Sequence, residues 1–97
     1  MRIVWSPLAV ERLTEIVEYI AQDNPKAAES WIQRIFQRVD QLKSFPESGR
    51  NIPETNNPKI RELFYGNYRI IYRIEENQLS ILTVRHGKQI LPKDESN

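Results

Sequence analysis

The sequence predicts a two-layer α+β fold in the order β-α-α-β-β-β, with an antiparallel helix hairpin on one face of a mainly antiparallel four-stranded sheet. Three observations predict it. Two apolar stripes at helical spacing each begin at a capping residue followed by proline. Three short runs rich in β-branched and aromatic residues lie between Lys59 and Leu91, separated by turn residues. A short apolar run, Arg2 to Trp5, precedes the first helix signal.

The first helix starts at Ser6-Pro7, serine as N-cap and proline in the first turn. Ala9, Leu13, Ile16, Val17 and Ile20 form its apolar stripe, and Glu11, Glu15 and Glu18 read as a solvated face. Asn24-Pro25 repeats the device. The link is only a few residues long, so the helices form an αα-hairpin. Ala28, Trp31, Ile32, Ile35, Val39 and Leu42 mark the second helix, expected to run to about Ser44 and to be the longer of the two. The next fourteen residues, Phe45 to Pro58, hold three prolines, one glycine and three asparagines, so regular structure is excluded over most of them. Phe45 and Ile52 are expected to pin this loop to the core.

The three runs then form a meander. Gly66-Asn67 makes the first hairpin turn, with Tyr65 opposite Tyr68 and Leu63 opposite Ile70. A three-residue loop, Glu76 to Gln78, is preferred for the second; it sets Tyr68, Ile70 and Tyr72 beside His86, Val84 and Leu82, and Arg69 beside Arg85, whereas a two-residue loop would place Thr83 and Ile81 inside. In the middle run Tyr68, Ile70, Tyr72 and Ile74 face the helices, while Arg69, Ile71 and Arg73 face away. Those arginines either grip an anionic partner or keep an open sheet face soluble. Residues 1–91 read as one domain and 92–97 as a polar tail that frays.

Composition narrows the classes. The 97 residues are 39% hydrophobic and 28% charged, with net charge +1, so bulk charge does not demand nucleic acid. No cysteine and one histidine exclude a conventional zinc site and a thiolate nucleophile. No glycine-rich phosphate loop or nucleophile elbow is present, and no cofactor is expected. No apolar run approaches the roughly 20 residues that cross a bilayer, and the N-terminus lacks a signal-peptide core, which points to the cytoplasm. His86, the one histidine, ends the last run beside Arg85 and Lys88. It is either a general base or acid or a structural histidine bonded to backbone; with no carboxylate visible nearby, the structural role is preferred.

Several short motifs recur here in a fixed succession: Trp5-Ser6-Pro7 with Ala9, IVEYI at 16–20, NPKAA at 24–28, FPESGR at 45–50, IREL at 60–63, NYRIIYRI at 67–74 and ILTVRHGKQIL at 81–91. Each is weak alone. Together they span nearly the whole chain, and it resembles the RelE/ParE superfamily of bacterial toxins, with the strand, helix-pair and meander layout of that fold. The resemblance implies the toxin of a type II toxin–antitoxin or plasmid-stabilisation module. It implies a hetero-oligomer in which the antitoxin from the adjacent gene wraps and neutralises the toxin. RelE-like members cut messenger RNA on the ribosome, whereas ParE-like members poison DNA gyrase by binding. Arg69 stands at the shared arginine and His86 where some nucleases keep a histidine. No tyrosine follows His86, and lysines are missing from 50–58, where nucleases place them.

The ending RHGKQIL is closer to the ParE-like side. The leading expectation is a ParE-like growth inhibitor without catalysis, with Arg61, Arg69, Arg73, Arg85, His86 and Lys88 contacting target or antitoxin. The rival is an mRNA endoribonuclease using Arg69, Arg85 and His86. The third option is an inactive binding module. The expected surface requires Arg69 and Arg85 to share a face and to remain unclaimed by internal acids.

Overall fold

The computed structural model describes residues 1–87 and 91–95, excluding the side chain of Lys93. Strand β1 (Arg2–Trp5) leads into helix α1 (Pro7–Asp23) and helix α2 (Pro25–Asp40). A 3-10 turn (Gln41–Lys43) follows, then β2 (Arg50–Asn51), β3 (Ile60–Tyr65), β4 (Tyr68–Ile74) and β5 (Gln78–His86). The sheet order is β1-β5-β4-β3-β2, with β1 parallel to β5 and the other pairs antiparallel. The α+β, two-layer reading holds. The sheet has five strands instead of four because Arg50 and Asn51 inside the proline-rich loop pair with Glu62 and Arg61.

Local chemistry explains the helix ends. The Ala9 N–H donates to Ser6 Oγ at 3.0 Å, and the Ala27 N–H donates to Asn24 Oδ1 at 3.1 Å. Asn24 also closes α1 by donating its own N–H to the Ile20 carbonyl, so one residue satisfies both helix ends. Helix α2 has 16 residues against 17 in α1, so it is not the longer. Its last turn tightens into the 3-10 turn, which keeps Leu42 in the core. Among the described residues, no helix is long and apolar enough to cross a membrane.

The helix-facing core joins Ala9, Leu13, Ile35, Val39 and Leu42 to Leu63, Ile70, Tyr72, Leu79, Ile81 and Val84. Both tryptophans pack half-buried at its margin, Trp5 edge-on to Phe36 and Trp31 edge-on to Tyr68. The reverse of the sheet is covered as well. Ile52, Ile60, Ile71, Leu82 and Leu91 make a second buried cluster there. Ile52 therefore anchors the loop as expected, but Phe45 does not: it is 67% exposed. The loop is held instead by Tyr72, whose hydroxyl donates to the Pro46 carbonyl at 2.7 Å and accepts from the Gly49 N–H at 2.9 Å.

The first hairpin has the expected register, with Gly66 at φ 56°. The second combines both candidate registers. Arg69 pairs with Arg85 and Ile70 with Val84, as a three-residue loop requires. A bulge between Ile71 and Tyr72 then shifts the pairing, so Tyr72 meets Ile81 instead of Leu82 and Ile74 meets Leu79. The bulge gives Ile81 to the helix-facing core and Leu82 to the reverse cluster. The described part of the tail does not fray: Lys93–Glu95 form a 3-10 turn and Glu95 is buried, while residues 96 and 97 lie outside the described residues.

Candidate functional site

Charged groups concentrate on the reverse of β3 and β4. Glu62, Phe64, Arg69 and Arg73 point there because they alternate with Leu63, Ile70 and Tyr72. Arg69 is 5% exposed and Glu62 1%. Arg69 Nε donates to Glu62 Oε1 at 2.6 Å, and its two terminal nitrogens donate to the two Glu54 oxygens, each at 2.9 Å. Arg50 Nε donates to the other Glu62 oxygen, and its guanidinium lies 4.9 Å from the centre of the Phe64 ring. The bidentate pairing with Arg69 holds the Glu54 carboxyl down from 4.5 to about 2. The same bonds, that from Glu54 foremost, raise the Arg69 guanidinium.

A second ionic cluster lies at the far end of β5. Glu95 accepts from Thr83 Oγ1 at 2.9 Å, from Arg85 Nη1 at 2.8 Å and from Arg12 Nη2 at 3.2 Å. Burial pushes the Glu95 carboxyl up, yet the bonds from Arg85, Arg12 and Thr83 outweigh it and leave the group below its ordinary value. The segment is tied down again where the Leu91 N–H donates to Glu54 Oε2 at 3.1 Å.

The expected cationic residues are thus distributed as follows. Arg69 and Arg85 are cross-strand neighbours, as required, but internal carboxylates claim both. The exposed guanidinium surface expected of them is not present. Arg73 stays half-exposed and makes a 3.6 Å pair with Glu75. Arg61 alternates onto the other face of the sheet from Glu62 and donates to the Gly49 carbonyl at 2.9 Å. His86 lies opposite Tyr68, with ring centres 5.8 Å apart on the helix-facing side. The sheet therefore separates the His86 ring from Arg69. Lys88 lies outside the described residues.

Sequence reasoning missed Glu54, Glu95 and Arg12 as ionic partners. Glu62 was legible in part, since alternation puts it on the arginine side. Nothing in a loop or tail pattern marks Glu54 or Glu95 as partners. Among the described residues no cluster of three acids, histidines or cysteines can hold a metal ion.

Comparison with known proteins agrees with this architecture. Residues 3–91 match the family described as the ParE toxin of the type II toxin–antitoxin system, parDE. Y4kP of Sinorhizobium fredii, a protein named as a toxin, is 42% identical over 96 residues, covering 95% of this chain and 94% of that protein. Toxin RelE2 of Caulobacter vibrioides is 32% identical over 90 residues, covering 92% of this chain and 98% of its own. A chain of the chromosomal ParDE toxin–antitoxin system from P. aeruginosa superposes with a TM-score of 0.73 at 22% identity, covering 89% of this chain and 95% of that one, which supports the fold. With the family match spanning almost the entire sequence and two toxins aligned end to end, the chain belongs to the ParE toxin family of type II toxin–antitoxin systems.

Proposed function

We propose that this toxin arrests growth in the cytoplasm by binding DNA gyrase rather than by cutting RNA, and that an antitoxin from the neighbouring gene silences it. The carrying observation is the state of Arg69. A guanidinium 5% exposed and bonded to Glu54 and Glu62 does not present its fork to a phosphate. General acid–base chemistry on a ribose hydroxyl also needs a proton-transfer group within hydrogen-bond reach of the phosphate-binding cation. His86 instead packs against Tyr68 on the other side of the sheet from Arg69. Both points favour action by binding over catalysis.

Inducible expression of the chain without its antitoxin tests this reading in cells. Growth should stop, a reporter plasmid should change its supercoiling, and transcripts should stay intact. Co-expression of the adjacent gene should restore growth. Growth arrest with intact supercoiling and cleaved transcripts would overturn the proposal, and absence of arrest would identify an inactive binding module.

A further inference from the structure

We propose that the turn Phe45 to Ser48 and the acidic hollow beside it form the surface with which this toxin grips its target, an inference that rests on the reading that it acts by binding. The partner that fits is a folded protein with an apolar pocket next to a lysine or arginine. Phe45 is exposed, yet the backbone under it is fixed from three sides. From the 3-10 turn, the Gln41 carbonyl accepts from the Phe45 N–H at 3.1 Å, and the Phe45 carbonyl in turn accepts from the Ser48 N–H at 3.1 Å. From β4, the Tyr72 hydroxyl bridges the Pro46 carbonyl and the Gly49 N–H. From β3, Arg61 Nη1 donates to the Glu47 and Gly49 carbonyls at 3.4 and 2.9 Å.

A fixed backbone under an exposed aromatic is what a binding anchor needs. The ring adds little to the core, and a segment already ordered loses little entropy when a partner covers it. A convex ring also selects the shape of its partner. It needs a concave apolar pocket, which a folded protein has and a segment that folds only on binding lacks.

The charge beside the ring selects the partner's chemistry. A hollow of about 530 Å³ adjoins the turn through Glu47, with Pro58 and Ile74 as its apolar lining. Glu47, Glu75 and Glu76 line it together with Lys59 and Arg61. Arg61 is committed to the loop carbonyls, and Glu75 to Arg73, Ser80 and Gln78. Among the described residues, Glu47, Glu76 and Lys59 make no side-chain hydrogen bond or ion pair. Two carboxylates against one ammonium are left to meet a partner, so an incoming cation is drawn in and an acidic segment is repelled. Arg61, Tyr72 and Ile74 point to the helix-facing side, so the sheet separates this surface from Arg69 and its acids.

The test compares the full-length wild type with Phe45→Ala and Glu47→Lys. Growth arrest is measured on expression without antitoxin, and biolayer interferometry measures binding to purified gyrase and to the product of the adjacent gene. Both variants should lose at least about tenfold in gyrase affinity and should arrest growth weakly or not at all. Both should keep antitoxin affinity within about twofold of wild type, which also shows that they are folded. Arrest as complete as that of the wild type in both variants overturns the proposal. So does loss of antitoxin affinity with arrest intact, which would assign the turn to the antitoxin. Should the wild type arrest growth without binding gyrase, the gyrase reading fails and arrest alone decides the surface: its loss in both variants upholds the surface, its retention overturns it. A wild type that neither binds gyrase nor arrests growth overturns both. If either variant fails to fold, Glu76→Lys, at the other exposed carboxylate of the hollow, replaces it with the same expected outcomes.

Discussion

Arg69 and Glu62 lie on adjacent strands, bonded at 2.6 Å, and neither exposes more than 5% of its surface. Their pairing turns the reverse of the sheet from a cationic platform into a second, ionically stitched core. Glu54 closes the other side of the guanidinium, so the loop and the C-terminal segment are fastened to the sheet through one residue.

Removing Glu62 leaves the buried Arg69 guanidinium paired with Glu54 but takes the charged acceptor from its Nε. Glu62→Gln should therefore destabilise the chain by about 1–3 kcal/mol, the cost of a weakened buried hydrogen bond to a charged group. Replacing both with apolar residues, Glu62→Leu with Arg69→Met, should cost clearly less. Thermal melts of the three proteins check the order; a double variant less stable than the single would mean the pair itself is a net stabiliser.

The acid limb of stability should be set by Glu54. Its folded pKa of about 2 lies below the ordinary 4.5. A depressed carboxylate stabilises the fold fully above the unfolded value and loses that contribution as pH falls through the folded one. Stability should thus decline between about pH 4.5 and 2, with Glu75 and Glu95, also held down, acting in the same direction. Denaturant midpoints across that range should fall less steeply in Glu54→Gln than in the wild type.

Gly49 is fixed by contact, not by backbone conformation. A Cβ there would stand 2.4 Å from Tyr72 Oη and 2.6 Å from the Glu62 carbonyl. Gly49→Ala should cost about 1–3 kcal/mol as overpacking. Tyr72→Phe should cost a similar amount, about 1–3 kcal/mol, by stranding the buried Gly49 N–H. Chemical denaturation measures both, and wild-type stability in either variant would show that the loop is not anchored there.

Much of the layout was legible because local signals were strong and agreed. Ser6-Pro7 and Asn24-Pro25 mark helix starts by capping, and strict alternation in 68–74 sorts the two sheet faces. The bulge at Ile71 and Tyr72 was not legible, since the alternation allows either of two registers throughout and only packing of Ile81 and Leu82 on opposite faces shows that the strand uses one on each side of the bulge. The ionic site was half legible. Alternation places Arg69, but the acids that claim it come from the loop, from β3 and, through Arg85, from the tail, and long-range pairing leaves no periodic trace. Phe45 misled for the opposite reason: an aromatic beside proline resembles an anchor, yet the Tyr72 hydroxyl does that work from the sheet.

The most direct measurement sets the purified toxin against both machineries in parallel, gyrase supercoiling of plasmid DNA and ribosomal translation of a defined messenger. Binding without catalysis predicts that supercoiling is inhibited while the messenger stays full length. Cleavage of that messenger in the ribosomal A site, abolished by His86→Ala, with gyrase unaffected, would contradict it.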